Sequence, residues 1–169
     1  MAERPIVIYG DPVLREKADP VDKINQDVKD LVSGLVDTLK KAKGLGLAAS
    51  QIGAAQPVFI IDLSAVDINQ SLKVFINPEI LETSEEEVEM EEGCLSFPDL
   101  YLKITRPKRV KVRAMDLDGN EFEMEADGLA ARAIQHEYDH TQGTLFIDRV
   151  SPMTRTLIRG RLRKLAAAS

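Results

Sequence analysis

The run Gln135-His136-Glu137-Tyr138-Asp139-His140 closes a segment, residues 127–140, in which Leu129, Ala130, Ala133 and Ile134 recur at helical spacing. Asp127 is placed to cap its start and Gly143 to end it after a further turn. On a helix, residues four apart stand one above the other, so His136 and His140 can reach one metal ion from the same face. Glu137, roughly 100° round from His136, can reach a water beside that ion without displacing a ligand, as in metal-assisted hydrolases. The bland alternative is two solvated histidines on a surface helix.

The flanking segments decide what encloses this helix. Residues 25–43 have Val28, Leu31, Val32, Leu35, Val36 and Leu39 at three- and four-residue steps, which predicts an amphipathic helix. Asn25 is its N-cap, Lys40, Lys41 and Lys43 lie at its negative end, and Gly44 is the residue beyond it. Residues 57–62 and 72–77 are short β-branched runs, the second closed by Pro78, and read as strands. Residues 110–126 alternate about Asp118-Gly119 and predict a hairpin. Residues 82–92 hold seven glutamates and read as a solvated strand or loop. A last helix from about Pro152, started by Ser151, has Leu157, Ile158, Leu162 and Leu165 on one side and cations on the other. Helices and strands interleave irregularly, which predicts one compact α+β domain over residues 1–169: antiparallel or mixed sheets around the His-Glu-x-x-His helix, with N-terminal and C-terminal helices.

Composition narrows the class. The chain has 169 residues, 44% apolar and 30% charged, as an ordinary globular domain has. One Cys excludes an internal disulfide and fits a reducing cytoplasm. The residues from Met1 to Tyr9 include an acid and a Pro and do not read as a signal peptide. No run approaches the roughly 20 apolar residues of a membrane helix. A net charge of −6 argues against a nucleic-acid binder. Residues 152–169, however, carry five cations and no acid, which leaves −11 on the remainder.

A metal needs a third protein ligand, and no third His exists. The candidates are a carboxylate or Cys94, within Glu92-Gly93-Cys94-Leu95-Ser96. A lone Cys is also commonly a buried small apolar residue, or a nucleophile, but seven glutamates just upstream oppose a free thiolate, whereas a divalent cation reverses that penalty. Cys94, His136 and His140 make a set suited to zinc, iron, cobalt or nickel. A third feature is Gly44-Leu45-Gly46-Leu47-Ala48-Ala49-Ser50-Gln51. It mimics a dinucleotide fingerprint, but such a fingerprint follows a strand and this one follows a helical pattern. Its glycines instead let backbone approach an extended substrate, and Gln51 offers an amide donor to a developing oxyanion.

These three segments, in this order and at these separations, resemble the bacterial peptide deformylases, and the likeness runs from the N-terminal helix region to about Arg149. The resemblance implies a metal-dependent hydrolase that removes the N-formyl group from the initiator methionine of nascent polypeptides. It implies Cys94, His136 and His140 as ligands of one divalent ion, natively Fe2+ with Ni2+, Co2+ or Zn2+ able to substitute. Glu137 would be the general base and acid, and Gln51 with the Leu95 backbone amide would hold the oxyanion. Gly46 and Gly93 would contact the substrate backbone, and Leu45, Leu95 and Leu129 would shape the methionine pocket. Thr141, where Leu is usual, and Arg132, where an apolar residue can line the pocket, depart from the pattern. Arg106 is a candidate contact for the chain beyond methionine.

A zinc endopeptidase would use the same helix motif with a downstream Glu as third ligand, but beyond His140 there is only Asp148. A metal-stabilised binding module with an idle Glu137 is the rival from another class. The basic C-terminal helix on an acidic body allows docking on ribosomal RNA, against a merely solvated face. No membrane or sequence-specific nucleic-acid partner is expected, and the chain reads as a cytoplasmic monomer.

Overall fold

In the computed structural model, which describes residues 3–64, 67, 69 and 71–169, the first helix is α1, Gln26–Ala42. Asn25 Oδ1 accepts from the Val28 amide at 3.1 Å, as the sequence predicts. The left-handed closing residue is Lys43 at φ 61°, one position earlier than the expected Gly44. Met1 and Ala2 of the amino-terminal stretch lie outside the described residues.

Five strands form one antiparallel sheet in the order β1-β2-β3-β6-β7: β1 is Gly46–Ala48, β2 Val58–Ile61, β3 Lys73–Thr83, β6 Arg109–Met115 and β7 Glu121–Asp127. Two further strands, β4 (Glu87–Cys94) and β5 (Phe97–Pro107), make a separate hairpin. The expected β6–β7 hairpin is present, and only Gly119 takes a positive φ in its turn, at 84°.

Pro78 does not end β3. The register with β6 slips between Ile76 and Glu79, where Asn77 sits at φ 52° and Pro78 has no N–H to give. The Asn77 side chain both donates to the Val21 carbonyl and accepts from its amide, each at 2.8 Å, which stabilises the bulge and lets the strand continue.

The second helix, α2 (Gly128–Thr141), lies on one face of the sheet. There Ala131 and Ile134 pack with Phe59 and Phe75, whose rings stack 4.7 Å apart. α1 covers the other face with Leu31, Leu35 and Leu39 against Val58, Ile60 and Ile76. Burying each such side chain contributes about 1.5–3 kcal/mol. Asp127 takes the N-cap position of α2, but its side chain makes no capping bond.

A third cluster joins the β4–β5 hairpin to α3, Pro152–Ala168. Ser151 Oγ caps α3 through the Thr154 amide at 3.2 Å. Ile158 and Leu162 face Phe97 and Leu100, and Leu165 is half-buried. Leu157 departs from expectation: it is 77% exposed, as Met153 is at 75%, because the buried stripe of α3 is narrower than the apolar one. The result is the expected α+β domain, with all strand pairs antiparallel.

Candidate metal centre and active site

Two elements bring the chemistry together. α2 presents His136, Glu137 and His140 from its buried C-terminal half, and the last residue of β4 is Cys94. One donor atom from each of Cys94, His136 and His140 lies within 4.8 Å of the others, and Cys94 Sγ is 3.5 Å from His140 Nε2. A soft sulfur with two imidazole nitrogens at such separations fits one divalent transition metal. Asp148, the acid a downstream ligand would require, is instead engaged by Arg15 and by the Leu145 amide.

The two histidines differ in protonation: His140 already suits ligation, whereas His136 gives up a proton on binding an ion. Burial pushes His140 well below the ordinary imidazole value, so it is neutral, the form that binds metal. For His136 burial pulls the same way, but hydrogen bonds with Cys94 and Glu92 outweigh it and raise the value. His136 Nδ1 meets Glu92 Oε1 at 2.9 Å. A carboxylate only accepts, so Nδ1 carries the proton and Nε2 is left for the ion. Burial would raise Glu92, yet His136 and Arg106 hold it well below the usual carboxylate range.

The sequence reads Glu92 as one of seven solvated glutamates. Six of them are exposed; Glu92 is buried, alternating inward with Val88 and Met90 while Glu87, Glu89 and Glu91 face out. The period-two pattern carries that signal, but the run of acids masks it. Arg106 is likewise corrected. It is 2% exposed, grips Glu92 with Nε at 2.6 Å and Nη2 at 3.0 Å, and reaches Asp139 at 2.9 Å, so it is not available to a substrate. Asp139 in turn holds Arg149 at 2.6 and 2.8 Å. Asp139 stands in the helix motif, but its role is not legible there, and Arg149 escapes sequence reading because nothing local marks it.

A cleft of about 390 Å³ opens beside the cluster. Its walls include Leu45, Gly46, Gln51, Gly93, Leu95 and Leu129, together with Cys94, His136 and Glu137. Of the expected site residues, His140 and Arg106 do not line it; His140 is 2% exposed and meets the cleft through Cys94. The segment 44–51 follows α1 and forms β1 and a 3-10 turn, Ala49–Ile52, which removes the dinucleotide reading. Gln51 is fixed by the Ala48 amide on its Oε1 at 3.0 Å, and its Nε2 points to Ser96 Oγ at 3.2 Å and Cys94 Sγ at 3.5 Å. A Cβ on Gly46 would come within 3.0 Å of Glu137 Oε2, so only glycine lets β1 approach that carboxylate.

Glu137 Oε1 is buried without a hydrogen-bond partner, and burial pushes this carboxyl up to about 7. An unpartnered carboxyl beside a ligand cluster, on the wall of a cleft, is poised for proton transfer near neutral pH. Thr141 is buried with its hydroxyl donating to the Tyr138 carbonyl at 2.6 Å, so that departure is absorbed inside the helix.

A sequence profile of the family described as polypeptide deformylase matches residues 3–156. A peptide deformylase of Acidobacterium capsulatum is 46% identical over 168 residues, 99% of this chain and 98% of that one. One of Thermotoga maritima is 44% identical over 161 residues, 95% of each chain. Among solved structures, peptide deformylase from Legionella pneumophila superposes with a TM-score of 0.88 at 39% identity, covering 99% of this chain and 97% of that one. That from Thermus thermophilus gives 0.90 at 37%, covering 98% and 99%. Sequence, fold and cleft agree over nearly the whole length, and the chain belongs to the polypeptide deformylase family.

Proposed function

We propose that this cleft hydrolyses the formamide of the N-formylmethionine that begins nascent polypeptides, releasing formate, within a single catalytic domain spanning residues 1–169. The hydrolase class follows from the family. The assignment of steps rests chiefly on one observation, the unpartnered buried Glu137 beside the Cys94, His136 and His140 donors.

Cys94, His136 and His140 hold one divalent ion, ferrous iron natively, with nickel, cobalt or zinc able to replace it. When bound, the ion supplies Lewis-acid polarisation of the reacting oxygens. Leu45, Leu95 and Leu129 enclose the apolar methionine side chain, and Gly46 and Gly93 let the substrate backbone lie close. Glu137 takes a proton from the attacking water as the water oxygen bonds to the formyl carbon. Charge gathers on the former carbonyl oxygen, where Gln51 Nε2 and the Leu95 amide donate to it. The C–N bond then breaks, and Glu137 returns its proton to the leaving amine, so formate and a free methionyl terminus result.

Anaerobic purification, metal analysis and a formyl-Met peptide assay on one sample test this reading. Formate release that tracks metal content is expected; none from loaded protein would leave a binding module. Gln51→Ala should lower turnover about a hundredfold or more with metal content unchanged.

We further place the enzyme in the cytoplasm as a monomer; no helix among the described residues is long and apolar enough to cross a membrane. Its basic C-terminal helix is assigned to the ribosome surface. Of the five cations there, Arg155 is tied to the Ile147 carbonyl and Arg161 to that of Asp99, while Arg159, Arg163 and Lys164 are exposed. Reversing those three charges should abolish low-salt co-sedimentation with ribosomes; unchanged co-sedimentation would remove the assignment.

A further inference from the structure

Arg132 is buried at 6% exposure one helical turn before His136, and none of the chemistry above uses it. Its three hydrogen bonds all run from α2 to the β4–β5 hairpin. Nη1 donates to Glu92 Oε2 and to the Ile104 carbonyl, both at 2.7 Å, and Nη2 donates to the Val88 carbonyl at 2.6 Å. Val88 and Glu92 belong to β4 and Ile104 to β5, so one guanidinium spans both strands.

The ligand donors are split between the same two bodies. His136 and His140 ride on α2, whereas Cys94 ends β4, two residues after Glu92. The hairpin is not hydrogen-bonded into the five-stranded sheet. At its far end it runs directly into β3 and β6, and the Lys108 carbonyl accepts from the Gly128 amide at the start of α2 at 3.3 Å; nearer the ligand cluster, buried polar side chains bridge hairpin and helix: Arg132 to Glu92, Arg106 to Glu92 and Asp139, and Glu92 to His136. Charged hydrogen bonds of this length in a dry seam have strict geometry. Arg132 touches no atom of the ligand residues in these contacts, and acts through Glu92 and two carbonyls.

We infer that Arg132 is a positioning residue that braces the metal-bearing helix against the cysteine-bearing hairpin and so sets how tightly the protein retains its ion. The inference rests on the metal reading proposed above. It accounts for a cation standing where the family can place an apolar pocket residue: its head group is consumed by the seam.

The test measures release of bound Ni2+ or Zn2+ to a chelator, at a temperature well below unfolding, rather than activity. Arg132→Met should release the ion roughly 10- to 100-fold faster than wild type, the range typical when a group supporting a metal ligand is lost. Val32→Ala, a core truncation in the α1 cluster, is the control for lost stability, and should release at the wild-type rate after a comparable fall in Tm. In the double variant with Glu92→Gln the two effects should fall short of additive, because both act on one seam. Release from Arg132→Met at the rate of wild type or of Val32→Ala overturns the inference, as do fully additive effects. Should Arg132→Met not fold, Arg132→Lys decides: a cation that cannot reach Glu92 and both carbonyls together should speed release several-fold, and a wild-type rate overturns the brace. A wild-type protein that takes up no divalent ion sinks the metal reading instead, and with it this inference.

Discussion

α2 and the β4–β5 hairpin each contribute to one site, yet they display their parts differently. On α2 the reactive residues sit at i, i+1 and i+4, so the periodicity that makes the helix also aligns His136 with His140 and turns Glu137 aside. On the hairpin a single residue, Glu92, orients His136 from within a run of seven glutamates, and its partners Arg106 and Arg132 are 14 and 40 residues away. A helix displays its chemistry locally. A strand displays only which face a residue points to, and its partners are found only after the chain has folded.

The most direct way to separate the two is to disable each in turn. Glu137→Gln removes the proton carrier but leaves every donor atom of the cluster, so turnover should drop on the order of a thousandfold, within the range for general acid–base groups, while metal analysis stays at the wild-type level. Retained turnover would move proton transfer elsewhere. The hairpin variant, Glu92→Ala, should act the other way round. It takes from the buried Arg106 and Arg132 the carboxylate they share, leaving Arg106 only Asp139 and Arg132 only two carbonyls, a change that costs about 3–5 kcal/mol, and frees the His136 ring, so both unfolding midpoint and metal affinity should fall. If stability falls and affinity does not, Glu92 serves the fold alone.

Much of this is legible before folding. The α1 cap at Asn25, the β6–β7 hairpin and the helix motif follow from spacing and residue type, whereas Cys94 is one of two kinds of candidate third ligand until the resemblance singles it out. What escapes depends on contacts far apart in sequence. β3 passes Pro78 only because Asn77 is tied to Val21, 56 residues back. Arg106 reads as a substrate contact because a lone Arg before Pro gives no hint of Glu92 and Asp139. Leu157 reads as core, although Ile158, Leu162 and the half-buried Leu165 are the apolar residues α3 turns inward.

Smaller effects sharpen the contrast at its edges. Asp148 anchors the turn after α2: burial would raise its carboxyl, but Arg15 and the Leu145 amide outweigh this and lower it. A value depressed in the folded state contributes stability above the unfolded aspartate value of about 3.9, and loses it as pH falls through the folded value. Asp148→Asn should therefore flatten the acid limb of a Tm–pH curve below about pH 4, and an unchanged limb would remove Asp148 from it. Least of all should follow from Glu89→Gln on the outer face of the hairpin, about 0.5 kcal/mol or less. A larger loss would mean that the outward glutamates matter structurally as well.

The five-stranded sheet has two free margins, and the chain treats them differently. β1 is three residues long, too short to template a partner. β7 is seven residues long and presents Glu121, Glu123 and Glu125 to solvent. Glu121 and Glu123 also reach Arg113 and Lys111 of β6, at 3.3 and 3.5 Å, so this edge carries a row of charged side chains that disfavours pairing with another strand. The acid-rich composition, seen from this margin, works against strand addition at β7.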